Sequence, residues 1–423
     1  MTSNVGYGGA EVCAYNCWFA RFPYSPWQTE PDYRTGVDPA GRLVVMEPRR
    51  HRLAVRVINP RTYRTIDRRA AGVGKKWWVV MAYLAPDGDY YVLTSRNNAH
   101  ENDGRTVAQI RRYSPRLRLE GVAPVKGGLD GYGIYGLPAS GASSMVLHGE
   151  TLLVHTSRFL YHQNGDESWM HHEGALFLAV DTATMRVRQL EQPWVSHSFA
   201  QGVGVHGDDV VFLDHGDAYP RAVVMNIERD YFADGKERLR THELFGYTGR
   251  TGDNVTGTTV NGFQLGSDRA LTVGVSLPHD HPVRGVTGRS QKLGTNVYLV
   301  STSLGDRVSS RFRWLTTYHP RKRNHVVGQP HLVPLGHDRF AVLFTVVARR
   351  GVSMHYRLVN QRGRVLASRV WSGRRYSAVA QPVHIGRKIL WVGARIDRNF
   401  QVHGHYLFGL NVAHPVHPRI VRR

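Results

Sequence analysis

The chain is poor in cysteine, in acidic residues and in long apolar runs, and each shortage removes a class of protein. Its two cysteines, Cys13 and Cys17, sit close together near the start. Two are too few for a disulfide framework, and a structural zinc site needs four ligands. A local disulfide and two buried thiols are the readings left. Aspartate and glutamate number 33 against 55 lysines and arginines, a formal charge of +22 with 23 histidines in reserve. That balance favours polyanion partners: acidic polysaccharide, nucleic acid or an anionic surface. A surface tuned for solubility would give the same charge. No apolar run approaches the ~18 residues of a membrane-spanning helix, so no transmembrane segment is expected. The opening MTSNVGYGGAEVCAYNC has neither a basic start nor an apolar core, so it is not a secretory signal as it stands. Localisation stays open between the cell interior and a surface reached by another route or from a longer precursor. There is no Walker loop, Rossmann fingerprint, zinc-protease helix or Gly-x-Ser-x-Gly elbow, and no cofactor is expected.

What is present is a phrase that returns about every fifty to seventy residues, the signature of a repeat architecture. A polar segment runs into a turn, and an apolar strand follows. The copies are Trp77–Leu93, Ser143–His155, His197–Asp214, Thr256–Val273, Val327–Phe344 and Val379–Val392. They carry strand residues and no sustained helical period. This predicts an all-β chain forming a single β-propeller domain over 1–423, with units starting near 41, 77, 143, 197, 256, 327 and 379. Seven blades are expected, with six as the alternative. The first unit reads as a partial blade (Arg42–Pro48, Arg52–Ile58, Tyr63–Asp67), and the last lacks an evident fourth strand before Ile420–Arg423. Residues 1–40 therefore read as a closure segment, with a strand near Ala10–Phe22 completing the last blade and removing an exposed edge. Insertions at Arg96–Gly104, Phe159–Gly174, Asp230–Arg240 and Pro278–Gly294 are expected to gather on one face.

A propeller lines its channel with the first strand of each blade, so polar residues in the repeated phrase are chemistry candidates. They are Ser143, Ser144, His197, Ser198, Gln201, Asn254, Thr256, Thr258, Gln329, His331, Gln381 and His384. A strand meant only for packing would show Val, Ile and Ala there. The bland alternative is that these groups satisfy backbone near the axis. Asp214–Arg221 (DHGDAYPR) packs two carboxylates, a histidine, a tyrosine and an arginine into eight residues, enough for sugar binding or an acid/base set. An Asp-to-Arg loop clasp is its structural reading. The insertion with Tyr161, His162, Asp166, Glu167, Trp169, His171, His172 and Glu173 has metal-ligand types. However, adjacent histidines on a strand face opposite sides, and no metal is assigned. The run Arg321–His325 could hold a carboxylate or phosphate bidentately, or serve as a solvated connection.

The phrases Val195–Gln201 (VSHSFAQ) and Asp214–Arg221 resemble segments of uncharacterised repeat-rich bacterial surface proteins predicted to be propellers. The resemblance covers the central third of the chain and implies no particular activity. A looser similarity is to the β-propeller polysaccharide lyases, which take a proton beside a uronate with His or Tyr while Arg or a metal neutralises the carboxylate. No lyase motif matches residue by residue, so no role is carried over. The expectation is a basic binding or assembly module for an acidic glycan or other polyanion. The alternative is a lyase or hydrolase of acidic polysaccharide. In that version His197 or Tyr219 moves the proton and Arg221 neutralises the substrate. Gln201, Asp217, Gln329, His331, Gln381 and His384 are the expected ligand contacts in either case.

Overall fold

The computed structural model describes residues 33–422 except 129–131, 139–142, 163–172, 190–194, 199, 235–237, 247–250, 252–255, 278–295, 319–325, 328, 349–350, 373–375, 379 and 397–401. Seven antiparallel sheets follow one another along the chain. The first comprises Arg34–Val37, Leu43–Arg49, Arg52–Ile58 and Thr65–Gly72 (β1–β4). The second comprises Trp78–Leu84, Tyr90–Ser95, Thr106–Tyr113 and Leu119–Lys126 (β5–β8). The third is Tyr132–Gly136, Ser144–His148, Thr151–His162, Glu173–Asp181 and Arg186–Gln189 (β9–β13). The fourth is Gln201–His206, Asp209–His215, Ala222–Glu228 and Leu239–Gly246 (β14–β17), and the fifth Gly262–Leu265, Arg269–Ser276, Asn296–Ser303 and Ser310–Trp314 (β18–β21). The sixth is Val326–Val327, His331–Pro334, Arg339–Ala348, Gly351–Asn360 and Val365–Ser372 (β22–β26). The seventh is Tyr376–Ala378, Val383–Ile385, Lys388–Ile396, Val402–Asn411 and Arg419–Arg422 (β27–β31). The one described helix is the single turn Tyr231–Asp234. It is far too short to cross a membrane.

Each blade meanders outward from its first strand. The first strands touch in a closed circuit: β1, β5, β10, β14, β18, β23, β28 and back to β1. The molecule is a seven-bladed β-propeller. Its apolar core divides into seven clusters, one for each seam between neighbouring blades. Middle strands are covered on both faces, so they read as continuous apolar runs; β6 (YYVLTS) and β16 (AVVMNIE) are buried throughout. Outer strands see solvent and alternate, as β4 (TIDRRAAG) does. The repeated turn lies between first and second strands. At Gly149, Gly207 and Gly386 a two-residue loop starts with a glycine at φ of 55–60°, a left-handed position that matches hairpin twist at no steric cost.

Two expectations about the ends are corrected. The first blade is complete, because Arg34–Val37 supplies its inner strand. The last blade takes its fourth strand from the basic C-terminal segment. Arg419–Arg422 pairs with Tyr406–Gly409, and Ile420 packs onto the cluster at the seam between the sixth and seventh blades. A short strand with an arginine at each end protects an edge, and its charge hides it from an apolar-run reading. Ala10–Phe22, Cys13 and Cys17 lie outside the described residues.

The ring closes by packing of the seventh blade on the first. Leu43, Val45, Ile58 and Tyr63 meet Leu390, Val392 and Leu407. Tyr63 is the keystone: Lys388 Nζ and Arg419 Cζ lie 5.2 and 4.8 Å from its ring centroid, within cation–π range. Thr35 Oγ1 also donates to Gln381 O across this seam. Gly409 leaves room for the tyrosine. A Cβ there would overlap the Tyr63 hydroxyl and lie 2.9 Å from Leu390 Cδ2. Gly409→Ala should therefore lower unfolding free energy by about 1–3 kcal/mol. Gly72→Ala, with nothing within 4 Å, should stay within about 0.5 kcal/mol. Denaturant titration of both variants checks this; equal effects would contradict a tight closing seam.

Candidate functional site

Whereas His384 lies near one end of the ring, beside the Gly386 turn, the His197, Asp217 and Arg221 candidates lie at the opposite end, where first strands begin and second strands finish. Alternation of strand direction also brings second-to-third connections to this end. The insertions near Arg96–Gly104, 163–172 and 278–295 are such connections, and the last two lie outside the described residues. Asp230–Arg240 is not among them. It joins a third strand to a fourth and so lies at the opposite end, a correction to the one-face expectation. The Arg96–Gly104 loop is internally bonded: Asn102 N donates to Asn98 Oδ1 at 3.1 Å, and the buried Tyr161 donates to Asp103 Oδ1 at 2.5 Å.

The fourth blade builds the densest polar cluster. Ser196 bridges Gly174 on one side and Ala218 on the other, so the approach to β14 is wedged between two blades. His197 follows in a left-handed conformation (φ 51°), its amide donating to Glu173 O at 2.9 Å. This turn places the imidazole Nδ1 3.3 Å from Asp217 Oδ2 and Nε2 3.7 Å from Glu173 Oε2. Arg221 Nη1 donates to the other Asp217 oxygen. Asp217 is wholly buried, and Arg221 nearly so. The loop can turn this tightly because of Gly216, where a Cβ would lie 2.8 Å from Pro220 O and 2.9 Å from Val195 Cγ1. Tyr219 alone of the loop's polar set points outward, 69% exposed.

A second tier lies beneath. Ser198 Oγ donates to Asp214 Oδ1 at 2.7 Å, Gln201 Nε2 donates to Ser198 Oγ at 2.9 Å, and His155 Nε2 sits 3.1 Å from the same Asp214 oxygen. His155 Nδ1 donates to Gly202 O at 3.1 Å. Serine, aspartate and histidine meet here in the wrong order for a nucleophile. The aspartate lies between the other two, whereas activation needs the imidazole beside the hydroxyl. All three side chains are buried, so the set serves as a clasp between the third and fourth blades. Toward the fifth blade, the Thr256 hydroxyl accepts from His215 Nε2 at 2.9 Å and donates to Thr258 O at 3.0 Å.

The environment sets these groups apart electrostatically. The hydrogen bond to Asp217 raises the pKa of His197 against the opposing effect of burial, with the Glu173 charge adding to the rise. Burial pushes Glu173 up. Burial drives His215 down to about 4.

The other candidates form a separate group. His331 Nδ1 donates to Gln381 Oε1 at 3.2 Å, and Gln381 Nε2 donates to Leu332 O at 2.7 Å. Burial lowers the pKa of both His331 and His384. Gln329 and His384 are partly buried. The inner strands of these blades are broken, β22 from β23 and β27 from β28, and the Gln-Pro pairs fall in the gaps. Proline has no N–H to offer a ladder, so it belongs at such a break. Gln381 replaces the lost ladder with a side-chain bond to the neighbouring blade. Among the described residues, no hydrogen bond or ion pair joins this group to the His197 cluster. Asn254 and Arg321–His325 lie outside the described residues, as do Asp166, Glu167, Trp169, His171 and His172.

Sequence reasoning missed His155, and it reached His215 only as a member of the Asp214–Arg221 cluster. Its attention was on first strands, while His155 lies within the second strand β11 and reaches Asp214 across the seam.

No family model and no curated protein sequence matches the chain. Solved structures do. Prolyl oligopeptidase B from Galerina marginata aligns with a TM-score of 0.51 at 9% identity, over 98% of this chain and 54% of its own. The β-propeller domain of the trilobed protease from Pyrococcus furiosus aligns at 0.46 and 12% identity, over 91% and 94%. A Synechocystis apocarotenoid oxygenase variant aligns at 0.40 and 8%, over 80% and 71%. The first likeness speaks to the fold alone, and it agrees with the propeller. The other two scores are too low to add to it. This chain spans about half the length of the oligopeptidase it matches.

The buried His215 makes a pH test. Its folded pKa lies below the unfolded value, so the neutral form is favoured. Its contribution is complete above about pH 6.5 and is lost as pH falls toward 4. His197 acts in the opposite sense: its raised pKa gives stability that is lost as pH rises. The difference between wild type and His215→Gln removes shared titrations. That difference should fall by about 3 kcal/mol between pH 7 and pH 4 in urea titrations. Parallel pH profiles would contradict a buried neutral imidazole.

Proposed function

We propose that the protein is a propeller-type binding module for an acidic polysaccharide. One observation carries the reading: the outermost strand of every blade presents an exposed cation. These include Arg68, Lys126, Arg186, Arg240, Arg313, Arg369 and Arg419. Exposed cations thus run round the circumference of a chain whose formal charge is +22. Charged edges also discourage strand addition, so the belt has a structural use. Its bias toward arginine suits planar anions, because the guanidinium meets carboxylate or sulfate in bidentate fashion.

Two further points support a glycan over the alternatives. Single-stranded nucleic acid is held by aromatic stacking platforms. Tyr219 is the one exposed aromatic ring among the described residues. A lyase site would need Arg221 to neutralise a uronate, yet its guanidinium is already bonded to Asp217. In this reading the channel-end residues hold Tyr219 and its loop in place, and the chemistry of the module is recognition.

Retention on immobilised heparin or polygalacturonate tests the proposal. Binding should weaken steeply as salt rises and be absent on neutral dextran. No absorbance from unsaturated sugar ends should develop during incubation. Salt-independent binding, or no binding, would overturn the module reading; steady growth of that absorbance would replace it with the lyase.

A further inference from the structure

The arginines are not evenly matched by carboxylates round the ring. At two seams an arginine ending a third strand is clasped by an aspartate from the turn between first and second strands. Arg112 Nε meets Asp89 Oδ2 at 2.7 Å and its Nη1 donates to Thr182 O of the next blade. Arg229 Nη1 meets Asp209 Oδ2 at 2.5 Å and donates to Leu304 O of the next blade. The fifth blade breaks this pattern. Asp209 opens β15, but Arg269 opens the corresponding β19. Its partners are neutral: Nε donates to Ser301 Oγ at 2.7 Å and Nη2 to Ser301 O at 3.0 Å. The turn keeps Asp268, whose charge pulls on Arg269, but among the described residues the two form no ion pair.

More arginines face the same seam. Arg313 pairs with Leu299 and Arg311 with Ser301, and cross-strand partners share a face. Leu299 packs against Val342 and Phe344 of the sixth blade, and Ser301 Oγ donates to Gln361 O at 2.6 Å. Arg311 and Arg313 therefore lie on the face turned to the sixth blade. On the other wall, Arg357 pairs with Val342 and stands 5.9 Å from the Phe344 ring centroid. Arg362 adds charge near Arg269. Burial first, and then the charges of Arg311 and Arg362, depress the pKa of Arg269 against the pull of Asp268. Asp338 is occupied by Ser267, through N at 2.8 Å and Oγ at 2.6 Å. Among the described residues, Arg311, Arg313, Arg357 and Arg362 make no ion pair.

We infer that the groove between the fifth and sixth blades, walled by Arg269, Arg311, Arg313, Arg357 and Arg362, is the principal seat of an acidic polysaccharide strand. The inference rests on the binding-module reading and gives it a place. Crowded like charges that outnumber the nearby carboxylates, Asp268 and Asp338, raise the energy of the free protein, and a line of carboxylates or sulfates relieves it. Arg311 and Arg313 stand two residues apart on one strand, spaced roughly 7 Å along the groove wall. Arg357 faces them with its guanidinium over the Phe344 ring. A diffuse cationic surface offers no such two-sided cradle.

The experiment compares Arg311→Ser/Arg313→Ser with Arg61→Ser/Arg64→Ser, which removes equal charge from an exposed turn of the first blade. Melting temperature confirms the fold of each. Affinity for a size-defined heparin fragment is measured at fixed low salt, with single-stranded DNA of matched charge as competitor. The groove variant should lose affinity at least about tenfold and the control less than about twofold. Equal losses in the two variants would overturn the groove while leaving polyanion binding intact. Failure of the wild-type protein to bind would overturn both. Tighter binding of the DNA than of the heparin fragment would overturn the ligand class.

Discussion

Everything in this molecule depends on the seam between one blade and the next. A lone four-stranded meander of this composition has two apolar faces and could bury neither. Stacking seven in a circle buries all of them, provided the last blade meets the first. That closing contact lacks a shared strand among the described residues. It is side-chain packing round Tyr63, with Leu390 and Leu407 on one side and Leu43 and Ile58 on the other. Apolar burial of this kind stabilises by about 25 cal/mol per Å² and has no directional demand. The register of the ring is set instead by polar bonds at its two ends.

Those polar bonds explain the chemistry-rich look of the inner strands. Near the axis, first strands depart from their neighbours, and backbone groups there need partners. Gln201, Thr256 and Gln381 supply them, and His155 and Asp214 tie adjacent blades at depth. Buried polar networks are stabilising when fully met and costly when not, so they fix one arrangement of the blades. The same residue types that suggest an active site thus serve alignment. Cations at the opposite end and on the rim are less constrained, and charge left over after clasping accumulates at the seam between the fifth and sixth blades.

The fold was legible in the sequence because its signal repeats. The glycine turns at Gly149, Gly207 and Gly386 recur at a fixed place before apolar second strands, and errors at one unit are corrected by the others. The ends were harder because no copy supports them: Arg34–Val37 is a four-residue strand, and Arg419–Arg422 is half arginine. The candidate site was legible in part. His197, Asp217 and Arg221 do meet, since a short loop joins the last two and the pairing of the adjacent strands β14 and β15 carries His197 to them. His155 and Asp214 meet only through blade packing, and their separation in the chain conceals it. The arginine groove was out of reach for the same reason. Arg313 and Arg357 belong to different blades, and their facing walls follow from strand register.

Native-state hydrogen exchange tests the closed ring most directly, because it reads the stability of each blade separately. Amides of the middle strands β2, β3, β29 and β30 should open with the same free energy as those of β15 and β16 on the far side, as one cooperative unit. Earlier, independent exchange of the first and seventh blades would contradict it, and would mean that the packing round Tyr63 does not close the circle.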